Sequence, residues 1–246
     1  LVRQRGRDVM ELSNGCVCCT IGDDLGDTLS AIAARPAPPD RVLIEASGVA
    51  EPARIAMSAG HWPGFELDAV LVAADAETIR RRAADKFVGQ LVRNQLDRAD
   101  IVLLTKTDLC APDAVRATEA WLHARKKGAR VARIVQGRVP TSLLFTDSIS
   151  APGSAGPVPP RAQPGFTTRI WHPGRPVDLA RLEAAFATLP ESVHRAKGFV
   201  IDAATGSAAL IQCVGRRVKV TPATEGAPGV VFIAFGDPAP LEAFCA

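Results

Sequence analysis

Ile101-Val102-Leu103-Leu104-Thr105-Lys106-Thr107-Asp108 decides the fold. An apolar run without alternation is the pattern of a parallel strand buried on both faces. It ends abruptly in Thr-Lys-Thr-Asp, so the charged residues fall at the strand's carboxyl end. Similar runs occupy 41–46, 67–74 and 130–135, and helical periodicity fills the gaps. Asp23 or Asp24 can cap a helix with Leu25, Leu29, Ile32 and Ala33 on one face. Arg35-Pro36-Ala37-Pro38-Pro39 stops it. Further helices are expected near 50–59, over 76–97 with Arg80, Arg81 and Arg82 on a solvated face, and over 112–126 with Pro112 in the first turn. A helical turn near 140–145 closes the series. Such alternation predicts an α/β domain with a parallel sheet.

Between Ser150 and Gly165 the composition turns to Pro, Gly, Ser and Ala, the mark of a linker. The remainder predicts a strand over 166–171, a helix over 177–188, three or four strands within 195–235 and a short helix from Pro238. That order suggests a small, mainly antiparallel α+β domain. The expected division is therefore a domain over 1–149, a linker over 150–165 and a second domain over 166–246.

The 246 residues include 47% apolar and 22% charged side chains, ordinary for a globular chain. A net charge of +3 gives no reason to expect nucleic acid or a membrane surface as partner. No apolar run reaches the roughly 18 residues of a membrane span and no signal segment opens the chain, so the cytoplasm is the default. Leu1-Val2-Arg3-Gln4 has no start-like character, and the chain reads as one entered in its middle.

Three thiols lie within Asn14-Gly15-Cys16-Val17-Cys18-Cys19. Clustered thiols in a chain of this size point to metal or redox chemistry. Thiolates favour zinc, accept Co(II) and can take Cu(I). One cluster supplying three ligands suits an open or switchable site better than a closed structural one. Cys110, Cys213 and Cys245 are isolated and read as small apolar residues. His61, His123, His172 and His194 show no ligand spacing, and His172 alone merits a test.

Glu45-Ala46-Ser47-Gly48 follows an apolar run, at the place where open α/β sheets put their ligands. An acid there can hold a water on Mg²⁺ or orient an attacking water, and the Gly lets a backbone N–H approach a phosphate. Alone, the stretch is better described as a strand-end Glu capping the next turn. Asp108 can accept two hydrogen bonds from guanine, a pattern adenine does not offer, and the Lys106 stem can lie across a purine face.

The chain resembles the CobW-type GTPases, a branch of the P-loop GTPases that includes zinc and cobalt metallochaperones and a nitrile hydratase activator. The resemblance rests on Glu11 through Thr20, Leu43 through Pro52, Gln95 through Asp100 leading into Thr105-Lys106-Thr107-Asp108-Leu109, and Arg195-Ala196-Lys197-Gly198-Phe199. It implies a parallel-sheet GTPase-like domain lacking its first strand and P-loop, with a smaller C-terminal α+β domain. It implies that Cys16, Cys18 and Cys19 contribute to a Zn²⁺ or Co²⁺ site. Glu45, with Ser47 and Gly48, would form the phosphate-side motif, Glu45 in the catalytic role. Thr105, Lys106 and Asp108 would hold the base of GTP, bound with Mg²⁺. The client metalloprotein would be recognised by the C-terminal domain.

Two departures matter. The family's Gly-Lys-Thr phosphate loop has no counterpart in these residues, and by position it would precede Leu1. Residues 1–246 alone are then expected to lack useful GTP affinity and catalysis, since that loop supplies most bonds to the triphosphate. Many relatives carry a His-rich stretch near the domain junction, whereas 150–165 contain no His. The rival readings are a metal-binding or client-binding protein of the same fold without GTPase activity, and a thiol-redox centre.

Overall fold

The computed structural model describes residues 2–5, 10–12, 21–46, 48, 52–144, 165–224, 226–237, 239 and 244. In chain order the elements are β1 (Val2–Arg5), β2 (Met10–Leu12), α1 (Ile21–Ala33), α2 (Pro52–Gly60), β3 (Leu71–Asp75), α3 (Ile79–Ala84), α4 (Gly89–Arg98) and β4 (Ile101–Thr105). There follow α5 (Pro112–Arg125), β5 (Arg130–Ile134), α6 (Thr141–Leu144), β6 (Phe166–Trp171), α7 (Leu179–Ala187), β7 (Val193–Ile201), β8 (Ala208–Val214), β9 (Arg217–Pro222) and β10 (Gly229–Phe235). The chain divides into two compact units, residues 1–70 with 85–98, and residues 71–84 with 99–246.

In the first unit β1 and β2 pair antiparallel. Leu25 and Leu29 of α1 bury against Ala59 of α2, with Val42, Ile55, Trp62 and Phe65 packed around them. The Trp62 indole donates to Ser30 Oγ at 3.0 Å. Its ring lies so close to Gly26 that a Cβ there would meet it at 2.4 Å, so this glycine is required by packing. The strand expected over 41–46 does not form a ladder among the described residues. Val42 joins the core, but Leu43 is 69% exposed and Ile44 38%. A short apolar run becomes a strand only where a neighbour takes up its backbone groups, and composition cannot supply that neighbour.

The helix expected over 76–97 is two helices. It stops at Ala84 and restarts at Gly89. Asp85 causes the break: its Oδ1 accepts the N–H groups of Phe87 at 2.8 Å and Val88 at 3.0 Å. A short acid competing for backbone donors favours a new helix start over continuation.

The second unit holds two sheets. The first is parallel, in the order β3-β4-β5, with Asp75 opposite Thr105 and Thr105 opposite Ile134. Ile101 through Leu104 of the central strand are all buried, as the uninterrupted apolar run requires. The second sheet is antiparallel, in the order β6-β10-β7-β8-β9. Helix α7, capped by Asp178 accepting from the Arg181 N–H at 3.0 Å, lays Leu182 and Phe186 on its inner face. Phe186 meets Phe232 at 5.5 Å between ring centroids. Arg195 through Phe199 lie in β7, the central strand, with β6 preceding it in the chain. Gly198 is there because β10 passes too close for any side chain: a Cβ would lie 2.0 Å from the Gly229 carbonyl. Ala239 and Phe244 are helical, and the rest of the helix expected from Pro238 falls outside the described residues. Among the described residues no helix is long and apolar enough to cross a membrane.

Within this unit the antiparallel sheet is tied to the amino ends of the parallel strands. Arg130, the first residue of β5, is buried and donates to the carbonyls of Leu189 at 3.1 Å and Gly215 at 3.4 Å. Arg216 donates to the Lys127 carbonyl at 3.0 Å, and Arg217 pairs with Asp100 at 2.9 Å. Arg130→Met keeps the stem but removes both guanidinium bonds, leaving the Gly215 carbonyl only the weak Cys213 thiol donor. It is expected to lower the unfolding free energy by about 2–4 kcal/mol, read from chemical denaturation.

His194 is 1% exposed, its Nδ1 2.8 Å from the Ser192 carbonyl. Burial, outweighing the backbone acceptor, lowers its pKa from 6.5 to about 4. Between those values the unfolded chain binds the extra proton and the folded chain does not. Stability from this group is therefore complete above the unfolded pKa and is lost as pH falls toward 4, by about 3 kcal/mol in full. Thermal melts across that range should fall for the native protein and stay flatter for His194→Gln.

Candidate functional site: the carboxyl edge of the parallel sheet

A parallel ladder brings the ends of β3, β4 and β5 to one edge. At the end of β4 the backbone turns sharply. Lys106 takes φ 58° and ψ 30°, a left-handed conformation that costs a non-glycine residue about 1–3 kcal/mol. It caps a single 3-10 turn, Thr107–Leu109, closed by the Leu109 N–H donating to the Lys106 carbonyl at 3.1 Å. This turn presents the exposed Asp108 at the sheet edge.

The Lys106 side chain reaches back to β3. Its ammonium lies 2.7 Å from Asp75 Oδ2. The other oxygen of Asp75 accepts the N–H groups of Glu77 at 2.9 Å and Thr78 at 3.2 Å. The hydrogen bond from Lys106 lowers the Asp75 pKa, with the backbone donors helping against partial burial. The same contact raises that of Lys106. Two further bonds join the loops: the Ala76 N–H donates to the Thr105 carbonyl at 3.0 Å, and the Thr105 hydroxyl to the Ala74 carbonyl at 3.2 Å. At the end of β5, Gln136 and Gly137 both have positive φ, 51° and 68°, in a turn closed by Arg138 N–H to the Val135 carbonyl at 3.0 Å.

The edge thus offers a free carboxylate, an aliphatic stem running from one strand end toward the next, and a tight turn of left-handed backbone. Thr105, Lys106 and Asp108 lie together at this edge. Asp75 and the Gln136-Gly137 turn were missed. Asp75 carried a signal, since it is an acid closing an apolar run at a strand end; Gln136 carried none, because Gln is not a residue that favours positive φ.

The other candidates lie elsewhere. Glu45 and Gly48 belong to the first unit; both are exposed, and the Gly48 carbonyl accepts from Gln95 Nε2 at 3.1 Å. Cys16, Cys18, Cys19 and Ser47 lie outside the described residues. Among the described residues no group of three His, Cys, Asp or Glu could hold a metal. Cys213 is buried, which pushes its thiol up to about 11 and makes it inert. His172 is exposed, its Nδ1 3.2 Å from the Pro228 carbonyl. Asp108 makes no hydrogen bond or ion pair among the described residues, so Asp108→Ala should change unfolding free energy by less than about 0.5 kcal/mol.

Two family models match the chain. The family model described as the CobW/HypB/UreG nucleotide-binding domain matches residues 1–133, and that of the cobalamin synthesis protein cobW C-terminal domain matches 166–240. A zinc chaperone CobW of Sinorhizobium sp is 30% identical over 162 residues, 56% of this chain and 46% of that protein. The zinc chaperone YjiA of Escherichia coli is 32% identical over 157 residues, 59% of this chain and 46% of that protein. A zinc-regulated GTPase metalloprotein activator 1 of Dictyostelium discoideum is 26% identical over 231 residues, 78% and 48% of the two chains. The chain thus spans a little under half the length of these relatives. The crystal structure of Zn(II)-bound YjiA GTPase from E. coli aligns with 96% of this chain and 79% of its own, at 20% identity and a TM-score of 0.42. With its nucleotide-binding-domain match covering more than half of its residues, the chain belongs to the CobW/HypB/UreG family.

Proposed function

We propose that this chain is part of a GTP-dependent zinc chaperone that delivers its ion to a client metalloprotein. The observation that carries the reading is the edge at Thr105, Lys106 and Asp108, in a chain whose nucleotide-binding-domain match covers it. An exposed carboxylate with no partner among the described residues fits the paired N–H donors of guanine, and the Lys106 methylenes offer the purine an apolar strip. Glu45, Ser47 and Gly48 are the candidates for the phosphate side, with Mg²⁺ accompanying the phosphates. Glu45 would orient the attacking water there.

Zinc is the cargo. Three thiolates at Cys16, Cys18 and Cys19 make a donor set suited to it, and the zinc chaperones among the relatives support zinc over cobalt. A site with three protein thiolates leaves a position through which an ion can be handed on. Nucleotide state would bias the affinity of that site, and the antiparallel sheet domain would dock the client. A cytoplasmic location follows from this role.

The test uses the complete protein that carries this chain. Zinc affinity is measured by competition with a chromophoric chelator, with and without GTP and Mg²⁺. About one equivalent should bind tightly, Cys18→Ser should abolish it, and GTP should change it. Asp108→Ala should weaken guanine-nucleotide binding at least about tenfold while leaving nucleotide-free zinc binding intact. Zinc affinity indifferent to GTP, with no hydrolysis, would point instead to a metal buffer of the same fold.

A further inference from the structure

We infer that Asp75 is the positioning residue of the nucleotide-base site, holding Lys106 in its working conformation before any ligand arrives; this rests on the guanine-binding reading of Asp108. The argument starts from strain. A lysine in the left-handed region is uncommon, and it persists where its surroundings over-determine it. Here the surroundings are specific. The ammonium is 2.7 Å from Asp75, and Asp75 is itself fixed by two backbone donors on its other oxygen. The carboxylate cannot swing away without losing both. The loop bearing it is held again by the Thr118 hydroxyl donating to the Ala76 carbonyl at 3.4 Å, and by the Ala76 N–H bond to Thr105.

The consequence falls on the stem. A free lysine samples many rotamers, and a ligand that needs one of them must order it. With its ends fixed on β4 and beside β3, the stem already spans the sheet edge. The side chain remains 59% exposed, so its methylenes are open to a flat ligand. The same pairing cancels the lysine charge locally, and the Asp108 carboxylate is left to read the base without a competing ammonium partner. Asp75 acts only through Lys106; base discrimination belongs to Asp108.

Asparagine at position 75 separates this role from a structural one. It keeps an oxygen for the Glu77 and Thr78 N–H groups, so the turn survives, and loses both the charge and the acceptor oxygen that hold Lys106. In the complete protein, titration with a fluorescent GDP analogue should show Asp75→Asn weakening affinity about two- to fivefold, the scale of an exposed ion pair. The guanine-over-adenine preference should not change, and Asp75→Glu should recover part of the loss. In a Lys106→Met background, Asp75→Asn should have no further effect. If Asp75→Asn binds like the native protein while Asp108→Ala does not bind, the positioning role is overturned and the base site stands. Additive losses in the double variant would also overturn it. If Asp108→Ala binds as tightly as the native protein, the base site itself is misplaced. Should Asp75→Asn not fold, Lys106→Met and Asp75→Glu carry the same comparison from the two sides of the pair.

Discussion

A parallel ladder forces every strand to end on the same edge, and the rest of the candidate site depends on that constraint. Because β3, β4 and β5 run in register, Asp75, Thr105 and Ile134 stand side by side. Residues 30 positions apart in sequence therefore become neighbours without any loop having to bring them together. Burial of Ile101 through Leu104 pins the central strand, and the polar residues that follow can only emerge at its end. The left-handed turn at Lys106 then changes the chain's direction within one residue, which keeps Asp108 at the edge.

The antiparallel sheet is joined to the same strands at their other ends. Its grip is mostly a matter of guanidinium groups on main-chain carbonyls, with Arg130 buried between Leu189 and Gly215. Burying a charge is costly, and here the cost is offset by two main-chain carbonyls that accept from the guanidinium. Gly215 completes the contact: it has φ 59°, and a Cβ there would lie 2.5 Å from the Asp100 carbonyl, so no larger residue would fit.

Much of this was legible in the residues. The parallel sheet, the break in composition near 150–165 and the antiparallel strands beyond follow from periodicity and turn chemistry. Strand 166–171 and the helix beginning at Pro112 fall where the pattern put them. What misled was a run whose outcome depends on partners: 41–46 is rich in apolar residues, as β4 is, yet joins no ladder among the described residues. The single helix expected over 76–97 failed for a more local reason, since periodicity continues through Asp85 while its carboxylate captures the backbone. At the candidate site, the placing of Asp108 and Lys106 at a strand's carboxyl end was readable from the apolar run that precedes them. The Asp75–Lys106 pairing was not, because a partner 31 residues away in sequence becomes visible only once register is known.

The tie at Arg130 has a mechanical meaning. Strands β4 and β5 are five residues each, about 16 Å from the gripped end to the site. A hydrogen-bonded, fully packed strand of that length is a stiff strut. A displacement at the Lys106 turn would reach the antiparallel sheet as bodily translation and not as bending.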